Sequence, residues 1–345
     1  MSTAPRSNAT INDVARLAGV SKRTVSRVLN NSLKVNPATR EKIEKIIQEL
    51  NYAPSKQARG LASSRSYLLG LVYDDPNAVV IHSVQKGILS VCAKHGYEMV
   101  VHPIDYQSEN LVSDLLNFVS RSKLDGLIIM PPISSNQVLA DKLIELGIPY
   151  VRIAGKGLDK SERVVVSDDR FAMQQVANLL IRSQRKVVGV VLGPSHRLAS
   201  IERYEGLREA LKSSGLRILK KHVAEGDFTY YSGLQGGRKL LSEDPRPDAI
   251  FASNDQMAVG VIHAAQDLGL RVPEDLIVIG YDDEPMSARL RPSLSTLQRP
   301  NYEMARTAAL KLIAAITDNQ QILEELPTVF IPKLICRQSS ATSDG

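Results

Sequence analysis

From Tyr67 onward, short apolar runs alternate with longer stretches of helical periodicity, and this alternation constrains the fold of the 345-residue chain more than any other feature. Leu68-Leu-Gly-Leu-Val-Tyr73 is continuously apolar, as befits a strand buried on both faces of a parallel sheet. A helical pattern over residues 83–95 follows, then a strand over 98–102, a helix over 109–120, a strand over 126–130, a helix over 135–146 and a strand over 149–153. A second series places strands at 187–192, 249–252 and 276–279, with helices at 203–213 and 257–268. Two such series predict two similar α/β lobes, each with a parallel sheet and with a cleft between them. Ligands in such folds bind beyond the carboxyl ends of strands. That rule selects Asp74 after the first strand, Asn254-Asp255 after 249–252, and Asp282-Asp283 after 276–279.

The first sixty residues have a different pattern. Thr10 suits a helix cap, and Asp13 stands three residues on, where it can reach back in the manner of a capping box. Ile11, Val14, Ala15 and Ala18 share one helical face, and Gly19 ends the helix. Ser21 caps a second helix over 22–30, apolar at Val25, Val28 and Leu29 and polar at Lys22, Arg23, Ser26 and Arg27. Asn36-Pro37 opens a third, striped by Ile43, Ile46, Ile47 and Leu50. Three short helices with a glycine turn between the first two predict a helix-turn-helix.

Charge supports a nucleic-acid partner. The chain carries a net charge of +6, but residues 1–66 hold 12 basic and 4 acidic side chains, a net +8, while the rest holds 31 basic and 33 acidic, a net −2. A polyanion bound at one end explains this asymmetry. The second helix has the narrow polar face that a major groove admits, with Lys22 and Arg23 placed for guanine O6 and N7. Thr10, Thr24, Asn30, Asn36, Thr39 and Tyr52 read as phosphate-positioning or capping groups. The apolar runs are too short to span a bilayer and the polar start does not resemble a secretory signal, so a cytoplasmic location is expected. Cys92 and Cys336 form neither a disulfide framework nor a metal-ligand pair, and the six histidines stand singly.

The strings Thr10-Ile-Asn-Asp-Val-Ala-Arg-Leu-Ala-Gly-Val-Ser21, Thr24-Val-Ser-Arg-Val-Leu-Asn30, Thr39-Arg-Glu-Lys and Leu50-Asn-Tyr52 resemble the headpiece of the Lac/Gal repressor family, without a gap through some fifty residues. Pro54-Ser-Lys-Gln-Ala-Arg-Gly-Leu-Ala62 resembles that family's hinge helix. The resemblance implies that Leu61 wedges between base steps of the minor groove beside Ala58; the alternative is a linker whose leucine packs on the core. Glu202-Arg203-Tyr-Glu-Gly206, Ala252-Ser-Asn-Asp-Gln-Met-Ala-Val-Gly260 and Val278-Ile-Gly-Tyr-Asp-Asp283 resemble the family's effector domain. By this likeness Arg203, Asn254 and Asp282 bind sugar hydroxyls and Phe228 packs on the ring, although Phe228 also suits plain core and Asp255 reads as a helix cap. The chain departs from lactose-type relatives at Ala154, where they carry an aspartate, and at Arg299, where a glutamine is common. Arg299, with Arg152 as a candidate neighbour or else a structural residue, suits an acidic or strongly polar effector.

The expected organisation is an all-α headpiece (8–52), a hinge helix (53–66) and a two-lobed periplasmic-binding-protein-like core (67–340). The N-lobe is assigned 67–165 plus 298–325 and the C-lobe 166–297 plus 326–340. The expected function is an effector-controlled transcriptional repressor, a homodimer on a pseudo-palindromic DNA operator, with a carbohydrate-like effector, no cofactor, no metal and no membrane partner. The family's tetramerising leucine repeat is not found. An enzyme is the first rival, but no GxGxxG after a strand, Walker loop, HExxH or nucleophile elbow occurs. An exported solute-binding protein is the second, and it requires a secretion signal and no basic headpiece.

Overall fold

The computed structural model describes residues 9–29, 34–50, 52, 65–74, 77–155 and 157–341. The chain divides into two compact units, Met1–Tyr67 and Leu68–Gly345. In the first, α1 (Ile11–Ala18), α2 (Lys22–Leu29) and α3 (Pro37–Glu49) enclose a small core of Val14, Ala15, Ala18, Val25, Val28 and Ile43. The local signals act as their chemistry dictates. The Asp13 carboxylate accepts from the Thr10 amide at 3.0 Å and its hydroxyl at 2.7 Å. Gly19 takes the left-handed conformation at φ 68° that stops α1. The Ser21 hydroxyl accepts from the Thr24 amide at 3.1 Å, and Asn36 accepts from Ala38 ahead of α3.

The second unit holds two six-stranded sheets. In the first half, β1 (Leu68–Tyr73), α4 (Ala78–His95), β2 (Glu98–Pro103), α5 (Leu111–Ser122), β3 (Gly126–Ile129), α6 (Gln137–Glu145), β4 (Tyr150–Ala154) and β5 (Val164–Ser167) follow in turn. The second half runs α7 (Asp169–Arg182), β6 (Val188–Leu192), α8 (Leu198–Lys212), β7 (Val223–Glu225), α9 (Tyr230–Leu241), β8 (Ala249–Ala252), α10 (Asp255–Asp267), β9 (Ile277–Tyr281) and β10 (Ser295–Gln298). The closing elements are α11 (Asn301–Ile316), α12 (Gln320–Glu325), β11 (Val329–Phe330) and β12 (Lys333–Ile335). The sheet orders are β11-β5-β4-β3-β1-β2 and β12-β10-β9-β8-β6-β7, the same winding twice. Every pairing is parallel except β10 with β12. The central strands are apolar on both faces because helices cover both, each buried Val, Leu or Ile contributing about 1.5–3 kcal/mol.

The lobe boundaries differ from those expected. β5 carries the first sheet to Ser167, and Val329–Phe330 pairs with β5, Val329 against Val166, so residues 329–330 belong to the first lobe rather than the second. The short strand 329–330 has too few residues for a pattern to be read. α11 packs on α4 so tightly that a Cβ on Gly87 would stand 2.4 Å from the Tyr302 carbonyl oxygen. The buried Lys311 Nζ ties α11 to the Ser161 and Val164 carbonyls and the Thr328 hydroxyl. α4 begins at Ala78, five residues before the predicted start, because the Asn77 side chain accepts from the Val79 and Val80 amides.

Candidate functional site

At the carboxyl ends of the strands, between the two lobes, lies a cavity of about 690 Å³. Arg203, on α8, is 3% exposed. Its Nε donates to Asp169 Oδ2 at 3.0 Å, its Nη1 donates to the Ser253 carbonyl, and its guanidinium lies 3.4 Å from the centre of the Tyr281 ring. Burial alone pushes the Asp169 carboxyl up. The Arg203 and Arg299 guanidiniums and a hydrogen bond from the Ser167 hydroxyl overcome that and hold it below the usual carboxylate range. Asp282 and Arg299 also line the cavity. The lining also includes the apolar Val79, Met130, Pro131, Ala154, Leu158 and Leu198.

Phe228 lines the cavity, held at φ 70°. Its ring crosses Gly193 so closely that a Cβ there would stand 2.3 Å away. Asn254 also touches the lining, but much of its hydrogen-bonding capacity is engaged. Oδ1 accepts from the Met257 amide at 2.9 Å as the cap of α10, and Nδ2 donates to the Phe228 carbonyl at 2.8 Å. Asn254 therefore caps the helix where Asp255 was expected to, and it positions the aromatic. Asp255 is the first residue of α10 and is fully buried. It accepts from the Glu284 amide and the Ser287 and Thr296 hydroxyls.

Two further candidates have partners within the chain. Asp74 is not among the described lining residues. Its carboxylate accepts from the Tyr106 amide at 3.0 Å, which places Tyr106 in the lining, and its carbonyl accepts from Arg197 Nη1 at 3.1 Å. Arg152 is 1% exposed and its charge is consumed by Asp159, with Nε to Oδ2 at 2.9 Å and Nη2 to the same oxygen at 2.7 Å. It is a strut of the first lobe, the structural alternative. Arg197, Glu202 and Asp169 line the cavity although the sequence reading did not select them. Asp169 was within reach of the strand-end rule, had the run Val164-Val-Val-Ser167 been recognised as a strand.

The headpiece presents a separate surface. Ser21, Lys22 and Arg23 are exposed at the start of α2, while Thr24, Ser26 and Arg27 are half-buried along it. The Ser21 and Thr24 hydroxyls share a hydrogen bond of 2.9 Å, which fixes both at the helix start. Thr10 and Asn36 are exposed caps, Thr39 is half-buried on α3, and Tyr52 packs its ring against the headpiece core. Asn30, Ala58 and Leu61 lie outside the described residues.

Residues 10–55 match the family described as bacterial regulatory proteins, lacI family, and residues 176–340 match the periplasmic binding protein-like domain. The chain is 33% identical to catabolite control protein A of Priestia megaterium, over 91% of this chain and 94% of that one. It belongs to the LacI family. The ribose operon repressor of Escherichia coli K12 is 31% identical over 96% of this chain and its own full length. A solved CelR–cellobiose complex superposes with a TM-score of 0.71 at 30% identity, covering 96% of this chain and 99% of that one. The lac repressor dimer bound to operator and the anti-inducer ONPF superposes with a TM-score of 0.77 at 26% identity, covering 97% and 100%. As a LacI-family member the chain is a DNA-binding regulator of transcription and not an enzyme. Among the described residues no helix is long and apolar enough to cross a membrane, and no cluster of His, Cys, Asp and Glu could hold a metal ion.

Proposed function

We propose that the chain is a homodimeric repressor that reads a pseudo-palindromic operator with α2 of each headpiece and answers to a sugar or sugar derivative bound between its core lobes. The observation that carries this reading is the interlobe cavity with a charged, aromatic-flanked side, in a chain whose N-terminal unit exposes Lys22 and Arg23 at a helix start. Arg203 and Asp282 offer fork-shaped donors and acceptors for ring hydroxyls, and Phe228 offers an apolar face. Relatives point the same way: one solved neighbour holds cellobiose and another relative is a ribose operon repressor.

Control follows from linkage. An effector shifts operator affinity only by its differential affinity for the two lobe arrangements. Lys22 and Arg23 read base edges, and Thr10, Ser21, Thr24, Ser26, Arg27, Asn30, Asn36, Thr39 and Tyr52 cap or position against phosphates. Ala58 and Leu61 enter the minor groove. The test combines a gel-shift titration over a range of salt with a thermal-shift screen of sugars. Operator affinity that falls steeply with salt, together with a sugar that both stabilises the protein and changes that affinity, supports the reading. Salt-independent affinity refutes it.

A further inference from the structure

We infer that Gly193 is a specificity-determining residue of the interlobe cavity, acting through the Phe228 ring that it seats; this rests on that cavity being the effector site. Gly193 follows β6 and is not itself among the described lining residues. Its φ is not positive, so the backbone there does not call for glycine. What excludes a side chain is space. A Cβ on Gly193 would stand 2.3 Å from both Cε1 and Cζ of Phe228 and 2.6 Å from Ser200 Oγ. Carbon atoms in contact keep about 3.5–4.0 Å apart, so the ring would have to give way by roughly 1 Å or more.

The backbone that carries the ring is fixed from several sides. Asn254 Nδ2 donates to the Phe228 carbonyl at 2.8 Å, and the Asp227 amide donates to the Ser232 hydroxyl at 3.1 Å. Asp227 Oδ1 accepts from the Thr229 amide at 3.0 Å and from its hydroxyl at 2.6 Å. These bonds hold a phenylalanine at φ 70°, a conformation that a bulky residue keeps only where its surroundings over-determine it, as at ligand clamps. The ring also packs against the buried cluster that includes Val191, Ala224 and Met257, and such interiors have no room to spare. The open space beside it is the cavity of about 690 Å³. A side chain at 193 therefore turns the ring into the cavity and narrows it. A ligand that fills the cavity feels that loss, and one that leaves room does not. Residue 193 thus sets the largest sugar admitted without touching it.

The experiment uses the full chain and its G193A, F228A and S200A variants, the last two also paired with G193A. The probes are ribose, glucose and cellobiose. Calorimetry gives Kd, operator gel shifts and melting temperatures run alongside, and a crystal structure of G193A gives the ring position. In G193A the ring is expected to move by about 1 Å or more into the cavity. The largest sugar that binds the unmodified chain should lose at least about tenfold in affinity, and smaller binders less, with unliganded operator affinity unchanged. G193A should also lower the melting temperature, by less in the F228A background than alone. A ring that keeps its place in G193A, undiminished affinity for that largest sugar, or a melting-temperature loss relieved by S200A instead of F228A overturns the inference. Where no sugar binds the unmodified chain, the proposed function fails, while the ring position and the paired variants still decide the inference.

Discussion

Asn77 and Glu284 join the two lobes across the cleft, with Asn77 Nδ2 donating to Glu284 Oε1 at 2.8 Å. Asn77 precedes α4 in the first lobe, and Glu284 follows β9 in the second. Glu284 is 4% exposed, and its other oxygen accepts from Gln256 Nε2 at 2.7 Å. The same Asn77 also caps α4 through its Oδ1. Two substitutions separate these roles. N77A removes both and should lower core stability by roughly 1.5–3 kcal/mol, the worth of a hydrogen bond to a charged group. N77D keeps a capping oxygen but faces Glu284 with a like charge, so it should unfold at a lower temperature than N77A. Equal melting temperatures for N77D and the unmodified chain would leave the cap as the only role.

Arg203 and Asp282 should respond differently to mutation although both line the cavity. R203A strands a buried Asp169 carboxylate, and breaking a buried pair from one side costs about 3–5 kcal/mol. Its lost effector response would therefore come with a large drop in melting temperature. D282N should remove the response with operator binding retained and a melting temperature close to the unmodified chain. Loss of operator binding in D282N, with the effector still bound, contradicts that division.

The Asp255 carboxyl is pushed from the ordinary 3.8 up to about 7, first by burial and further by the nearby Glu284 charge, against hydrogen bonds from Thr296, Ser287 and the Glu284 amide. A raised folded-state value means that the folded protein holds this proton more tightly than the unfolded chain does. The contribution to stability is full below the unfolded value, near 4, and is lost as pH rises to about 7. D255N should flatten the fall in melting temperature between about pH 5 and about pH 7. An unchanged slope in D255N assigns the fall to other groups.

Operator binding should separate α2 by chemistry. R23A is expected to cost about 1–3 kcal/mol and to relax base preference at one operator position. Loss of a phosphate contact such as Arg27 should weaken all sequences alike and lower the salt slope by about one. Quantitative gel shifts on operator and scrambled DNA at several salt concentrations distinguish the two patterns.

The headpiece and the strand–helix alternation were legible because both obey local rules. Thr10, Gly19, Ser21 and Asn36 each act within four residues of themselves, and buried parallel strands write themselves as apolar runs. The cavity was legible only in part. Asp282 follows β9, where the strand-end rule applies, whereas Arg203, inside α8, and Arg299 were singled out only by comparison with the family. Asp74 also stands at a strand end, but Tyr106, thirty-two residues away, captures its carboxylate. For Arg152 the sequence left a ligand-side and a structural role open, since Asp159 comes back to it only through the fold of the loop after β4. Non-local pairing decides whether a charge is spent internally or offered to a ligand, and no period in the sequence encodes it.

The placement of β11 and β12 has a consequence for synthesis. The headpiece is complete early in translation, with every contact of its small core drawn from residues 11–52. Neither sheet of the sensing core gains its last strand until residues 329–335 have left the ribosome, because β11 closes the first and β12 the second. Domains generally fold as units as they emerge. A nascent chain therefore carries a finished DNA-reading module for most of its synthesis before the part that governs it can mature.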